Sequence, residues 1–332
     1  MKVAVIGSGA WGTALAIRLQ KNGHEVVLWS FEKDLIPQME KERRNPRLPG
    51  AVLPEGLSIS GDYACARGCQ LVVIAAPSFP LRSVCMGVAP YIDEEAIVVS
   101  VVKGIEQGTK LRMSQVIEQE TGHKVVVLTG PSHAEEVALE MPTGCIAACE
   151  DKALAEKVQE AFVCDVFRIY ISPDPVGAEL GAALKNVIAL CAGICDGLGY
   201  GDNTKAMLMT RGLTEIARLG VALGASKDTL AGLSGVGDLI VTCTSMHSRN
   251  RRAGILIGQG KSVEEAMKEV GAVVEGYYAA KSAWELGCRT GVEMPIVAAA
   301  YAVLYDGISA KFAMETLLTR RPMVESEDAG WL

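Results

Sequence analysis

The sequence predicts an α/β domain built on a doubly wound parallel sheet over residues 1–172, followed by an all-helical domain over residues 173–332. Three observations predict it. Short, almost wholly apolar β-branched runs alternate with longer amphipathic segments up to about residue 148; a glycine-rich turn joins the first run to the first amphipathic segment; and after residue 171 only helical patterns remain.

The runs at 2–6, 25–29, 70–75, 96–101 and 124–128 read as strands. They lack polar alternation, as strands covered on both faces of a parallel sheet do. Segments 10–22, 32–43, 79–89 and 109–121 read as the helices between them. Right-handed crossovers in such a βαβ series align the carboxyl ends of the strands on one edge, where ligands bind. A strand at 144–148, a helix at 151–162 and a strand at 167–171 follow. Asp174 before Pro175 is then a helix-start signal, opening a long apolar helix that reaches about residue 198. Further helices are expected at 204–223, 249–258, 263–270, 276–290, 295–305 and 310–318, and 325–332 reads as a frayed tail.

Composition narrows the function classes. At 49% hydrophobic and 21% charged residues the chain is of globular type, and a formal charge of −7 does not suit a protein that wraps nucleic acid. Uncharged stretches stop short of the 18 to 20 residues a membrane span needs. Residues 3–17 imitate a signal peptide, but Gly7, Gly9 and Gly12 interrupt the run and fit a strand, turn and helix instead. The ten cysteines include three pairs spaced four apart, without a neighbouring histidine cluster. They read as buried thiols of a cytosolic chain rather than as metal ligands. Glycine is in excess, 35 residues with only 5% aromatics, so backbones must approach a ligand or one another closely.

The glycines have a pattern. Gly7-Ser8-Gly9-Ala10-Trp11-Gly12 is a G-x-G-x-x-G turn between strand and helix, the Rossmann-type dinucleotide fingerprint: a tight turn, close approach to a pyrophosphate, and close helix–strand packing. About 20 residues on, Glu32 is the acidic candidate for the ribose hydroxyls of NAD, although it can equally begin the next helix. Lys33, Arg43, Arg44 and Arg47 are nearby cations that a 2′-phosphate would want, so the choice between NAD and NADP stays open.

Lys103 and the turn Gly130-Pro131-Ser132 each follow a strand, which puts an ammonium and a hydroxyl at the ligand edge. Lys185 is the most informative single residue. Between Asp174 and Asp196 only Glu179 and Lys185 carry charge, and small or apolar residues surround the lysine. It either snorkels to the surface or points into a cleft, where burial and a second cation would lower its pKa into the range of proton transfer. Asn186 beside it can orient a substrate oxygen. A second glycine-rich turn, 232–237, ends in Asp238, a helix cap or a site carboxylate. Ser248-Arg249-Asn250-Arg251-Arg252 opens a helix with a capping hydroxyl and three guanidinium groups, which is a solvated basic face or a phosphate seat.

Taken in order, these segments resemble the bacterial-type NAD(P)-dependent glycerol-3-phosphate dehydrogenases over essentially the whole chain. The resemblance rests on residues 7–16, Lys103-Gly104-Ile105-Glu106, 130–132, Lys185-Asn186-Val187-Ile188-Ala189, 235–239, 248–251 and Val273-Val274-Glu275-Gly276. It implies a cytoplasmic enzyme, usually a homodimer, that interconverts dihydroxyacetone phosphate and sn-glycerol 3-phosphate with NAD(P)H and feeds phospholipid synthesis. It implies Lys185 as proton donor and acceptor with Lys103 and Asp238 beside it, and Ser248, Arg249 and Asn250 on the substrate phosphate. It also implies Gly130 and Ser132 on the substrate, and Ala134, Arg249, Val273 and Glu275 along the cofactor. Two positions depart from the family pattern: Ala10 stands where serine is common and Phe31 where a basic residue is, and the segment 45–49 lacks the usual tyrosine. Losing the cation at 31 weakens an NADP preference. The β-hydroxyacid dehydrogenases share the layout but carry a different glycine loop and lysine motif. A dinucleotide-sensing protein would need no proton donor.

Overall fold

The computed structural model describes residues 1–321 and 324–325. Eight strands form one sheet: β1 (Lys2–Ile6), β2 (Glu25–Trp29), β3 (Ser58–Ser60), β4 (Leu71–Ile74), β5 (Ile97–Ser100), β6 (Val125–Thr129), β7 (Thr143–Ala148) and β8 (Phe167–Ser172). Between them run α1 (Ala10–Lys21), α2 (Ile36–Glu42), α3 (Leu81–Val88), α4 (Met113–Thr121), α5 (Ala134–Ala138) and α6 (Lys152–Phe162). The strand order is β3-β2-β1-β4-β5-β6-β7-β8, so the order reverses between β1 and β4. The crevice at such a reversal is where doubly wound sheets bind dinucleotides.

Both faces of the sheet are buried, which is why its strands read as unbroken apolar runs. Val3, Val5, Val73 and Val126 pack on one side, and Ala4, Ile6, Val72 and Ile74 on the other. Residues 3–17, the run that imitates a signal peptide, form most of the inner strand β1, the glycine turn and the larger part of the first helix.

The sheet is not wholly parallel. β6 pairs antiparallel with β7, which pairs parallel with β8. The reason lies in the link. Its helix α5 has five residues, about 7.5 Å of rise, too short to carry the chain back along a strand of roughly 17 Å. The β3 edge strand, three residues long, and α5 itself have no sequence expectation. The segment 32–43 begins with a 3-10 turn, Lys33–Leu35, and α2 starts only at Ile36, with Pro37 in its first turn.

After β8 the chain is helical: α7 (Pro175–Gly197), α8 (Asp202–Ala222), α9 (Lys227–Ala231), α10 (Asp238–Thr244), α11 (Arg249–Gly258), α12 (Val263–Val270), α13 (Glu275–Thr290), α14 (Pro295–Tyr305) and α15 (Ala310–Leu318). Short α9 and α10, which had no sequence expectation, flank the glycine-rich turn, itself a wide π-type turn over Leu233–Gly237. The expected tail at 325–332 lies outside the described residues except for Glu325.

Helix α7 is the axis of this part. Asp174 caps it by accepting from the Gly177 amide at 2.8 Å. By length and mean hydropathy, 1.5, it is apolar enough to cross a membrane, contrary to the expectation that no stretch was; 94% of that window is buried inside the protein. Its closest neighbour is α11, and glycines on both helices permit the approach. A Cβ on Gly193 would lie 2.0 Å from the Arg251 carbonyl oxygen, and one on Gly254 2.0 Å from that of Leu190. Part of the glycine excess therefore serves helix packing.

Candidate active site

The glycine turn after β1 is shaped for a close visitor. Gly7 adopts φ +127°, and a Cβ there would sit 2.7 Å from the Ala75 carbonyl oxygen; one on Gly12 would meet the Gly7 oxygen at 2.0 Å. Over Gly9, by contrast, a Cβ would find nothing within 4 Å, so the backbone faces open space at the amino end of α1. Ala10 and Trp11 form the half-buried first turn. Buried Asn45 braces the loop, donating to the Ser8 carbonyl at 2.8 Å and to Thr13 Oγ1 at 2.7 Å. These residues fit a dinucleotide pyrophosphate.

At the end of β2, Phe31 is 79% exposed and lies 6.4 Å from Trp29, which in turn stacks on Tyr63. Glu32 precedes the 3-10 turn and is gripped in bidentate fashion by Arg47, Nη2 to Oε1 at 2.5 Å and Nε to Oε2 at 3.2 Å. Of the candidate cations, Arg43 is spent on the carbonyl groups of Leu53, Pro54 and Leu57, and Arg44 on that of Pro49. Arg47 is the cation that meets Glu32.

On the far side of the crevice, three charged side chains from three elements converge. Asp238, at the start of α10, accepts from Lys185 Nζ at Oδ1 and from Lys103 Nζ at Oδ2, both at 2.7 Å. Lys185, on α7, also donates to Thr242 Oγ1 at 2.6 Å, and Lys103, just beyond β5, donates to the Gly130 carbonyl at 3.0 Å. Each ammonium thus uses two of its three N–H bonds, and two positive charges share one carboxylate. Lys185 and Asp238 are only 5% and 1% exposed. Burial, aided by Lys103, pulls the Lys185 ammonium down to about 8, against the opposing pull of Asp238. The snorkelling reading of Lys185 is excluded: it points inward.

A second network runs through Asn186 and Asn250. Asn250 Nδ2 donates to Asn186 Oδ1 at 2.9 Å, while Asn250 Oδ1 accepts from the Gly276 amide at 2.8 Å. Ser248 caps α11 by accepting from the Arg251 amide at 3.2 Å. Arg251 itself is a strut, bound to Asp196 Oδ2 at 2.8 Å and to the Thr244 carbonyl at 2.6 Å, so the three arginines are not one basic face. Arg249 is exposed beside the helix start. Ser132 donates to the Gly130 carbonyl at 2.9 Å.

Glu275, at the start of α13, reaches across to the sheet part. Its Oε1 accepts from the Ser78 amide at 3.2 Å and its Oε2 from Ser78 Oγ at 2.5 Å; burial pushes its carboxyl above the usual range. Val273 is half-buried beside it, whereas Ala134 is 7% exposed in the sheet core and offers a cofactor little surface. Sequence reading missed Thr242, Ser78 and Asn45. Only Thr242 left a signal, four residues beyond Asp238 and so on the same helix face.

Family models decide what this arrangement belongs to. The N-terminal model of NAD-dependent glycerol-3-phosphate dehydrogenase matches residues 2–155, and the C-terminal model matches residues 174–315. The chain belongs to the NAD-dependent glycerol-3-phosphate dehydrogenase family. A glycerol-3-phosphate dehydrogenase [NAD(P)+] of Thermoanaerobacter sp. (strain X514) is 51% identical over 96% of this chain and 97% of its own length. One from Desulfitobacterium hafniense (strain Y51) is 48% identical over 99% and 94%. The crystal structure of glycerol-3-phosphate dehydrogenase from Coxiella burnetii superposes with a TM-score of 0.92 at 37% identity, covering 96% of this chain and 99% of that one. The family assignment makes the chain an oxidoreductase of the nicotinamide-dependent class.

Proposed function

We propose that the chain reduces dihydroxyacetone phosphate to sn-glycerol 3-phosphate, and the reverse, with Lys185 as the proton donor and acceptor. The observation that carries this reading is the Lys103–Asp238–Lys185 cluster at the crevice edge, where each ammonium keeps one N–H bond for a substrate oxygen. Gly7, Gly9, Ala10, Trp11 and Gly12 would hold the dinucleotide, with Phe31 and Glu32 near its adenosine end and Glu275 and Val273 near the crevice. A reduced nicotinamide bound there supplies hydride to C2 of the ketone. As charge grows on the C2 oxygen, Lys185 gives up its proton and Lys103 stabilises the oxygen electrostatically, the pair carrying one net positive charge beyond Asp238. Thr242 and Asp238 fix the Lys185 head, so its remaining N–H has one direction to point. Ser248, Arg249 and the free amides of the α11 N-terminus seat the phosphate, with Asn250 and Asn186 holding that terminus against α7. Gly130 and Ser132 close the substrate from the sheet side.

We also place this enzyme in the cytoplasm, as a homodimer without nucleic-acid or membrane partners, supplying glycerol 3-phosphate to phospholipid synthesis. All ten cysteines as unpaired thiols and the burial of α7 support the compartment. We put the boundary between cofactor and substrate domains after residue 172, a reading supported by the end of β8 at Ser172. Nicotinamide absorbance followed with dihydroxyacetone phosphate, once with NADH and once with NADPH, tests the reading. Absence of turnover with both cofactors would overturn it.

A further inference from the structure

Two of the four histidines meet at the mouth of this site, one from each side. His133 follows Ser132 and immediately precedes α5; His247 precedes Ser248, the cap of α11. Their rings lie 5.7 Å apart, tilted by 53°. His24 and His123 are placed elsewhere, on the carbonyl groups of Ala161 and of Thr121 and Asp93.

His133 is half-buried, with Nε2 3.4 Å from the Val241 carbonyl on α10, between Asp238 and Thr242 in sequence. A neutral ring that donates from Nε2 keeps Nδ1 as its proton-accepting nitrogen. The charged groups that act on His133 come from three neighbouring elements, Lys185 on α7, Lys103 after β5 and Glu135 on α5; Asp238 on α10 pairs with both lysines, and Arg249 is exposed two residues beyond His247 in sequence. Burial and the two lysines hold the His133 imidazole below its ordinary value, with Glu135 and the Val241 carbonyl opposing. These surroundings favour neutral His133. A dianion placed at the α11 N-terminus reverses that balance, since an opposite charge nearby favours the imidazolium.

We propose that His133 and His247 form a proton-linked clamp on the substrate's phosphate, bridging the Ser132 and Ser248 loops and taking up a proton from solvent when the phosphorylated substrate binds. This rests on reading the α11 N-terminus as the phosphate seat. His133 receives the proton at Nδ1 and becomes a second donor toward the bound anion, while His247, at the exposed rim, adds the facing ring. No bond to substrate forms or breaks; the proton returns to solvent when the phosphorylated product leaves.

The test uses His133→Gln and His247→Gln in the full-length enzyme. Glutamine retains a donor toward Val241 but takes up no proton. Above pH 7 free alkyl phosphate is already mostly dianionic, its second pKa being about 6. In the unsubstituted enzyme KM for dihydroxyacetone phosphate is expected to rise with pH between 7 and 8.5. His133→Gln is expected to raise KM at pH 7 about tenfold, with kcat changed less than twofold, and to flatten that rise. His247→Gln should do the same more weakly, and neither should alter KM for unphosphorylated dihydroxyacetone. Melting temperatures within about 2 °C of the parent would confirm that both variants fold. Retention of the parent KM and pH slope by both folded variants, or an equal KM rise for the two substrates, overturns the clamp. Arg249→Ala separates the two readings: if it raises KM for the phosphorylated substrate while the histidine variants do not, the phosphate seat stands and the clamp alone fails.

Discussion

Lys185 and Asp238 form a buried ion pair 2.7 Å long between helices that the chain separates by 53 residues. The same carboxylate holds Lys103 by its other oxygen, so one substitution changes the charge balance of the whole cluster. Lys185→Ala is expected to lower kcat by 10²–10⁴, the usual share of a general acid, with KM for dihydroxyacetone phosphate moving far less. Asp238→Asn leaves two ammoniums without a counter-charge and should cost at least about tenfold in kcat. Steady-state kinetics on both variants check this; a loss under tenfold for Lys185→Ala would remove the lysine from the chemistry.

The direction of catalysis should respond to pH with opposite signs. Burial brings the Lys185 ammonium down to about 8, and in the proposed reaction ketone reduction consumes that ammonium. In the reductive direction kcat should therefore be flat below pH 8 and fall about tenfold per unit above it, apart from any pH dependence of KM. Oxidation needs the neutral amine, so it should climb to pH 8 and level off. Profiles in both directions, on one enzyme preparation, provide the measurement.

Cofactor choice should turn on Glu32 and Arg47. Their bidentate pair places a carboxylate at the end of β2, where a ribose diol is read, and keeps the nearest guanidinium occupied. Glu32→Ala removes the repulsion toward a 2′-phosphate and releases Arg47. The ratio of kcat/KM for NADPH to that for NADH is expected to rise about tenfold. Arg47→Ala should leave the ratio at or below the parent value. An unchanged ratio in Glu32→Ala would place the pair outside the adenosine contact.

Glu179 ties the helical part to the sheet part. It is 2% exposed on α7 and accepts from the Ser114 amide and hydroxyl, both at 2.7 Å, and from Arg112. Removing the carboxylate leaves a half-buried guanidinium and a buried amide without this partner. Glu179→Ala should destabilise the fold by about 3 kcal/mol, read as a lower urea midpoint and a Tm down by several degrees.

Much of this molecule was legible because its determinants are local. A strand buried on both faces must be apolar at every position, so β1, β2 and β4 to β6 announced themselves. The G-x-G-x-x-G spacing is a backbone requirement, visible wherever β1 meets α1. The isolation of Lys185 among apolar neighbours singled it out, but left a snorkelling and an inward-pointing ammonium both open. The short elements β3, α5, α9 and α10, spanning at most two periods, carried no such signal.

The sequence by itself determined the alternating sheet, the helical second half and the candidate chemistry, because periodicity, turns and caps are written in neighbouring residues. Tertiary structure alone decided the partners. Lys103 meets Asp238 across 135 residues, Ser78 meets Glu275 across 197, and β7 runs against β6 because a five-residue helix cannot reverse the chain twice. Such pairings depend on where packed elements end up in space. No spacing along the chain encodes that distance.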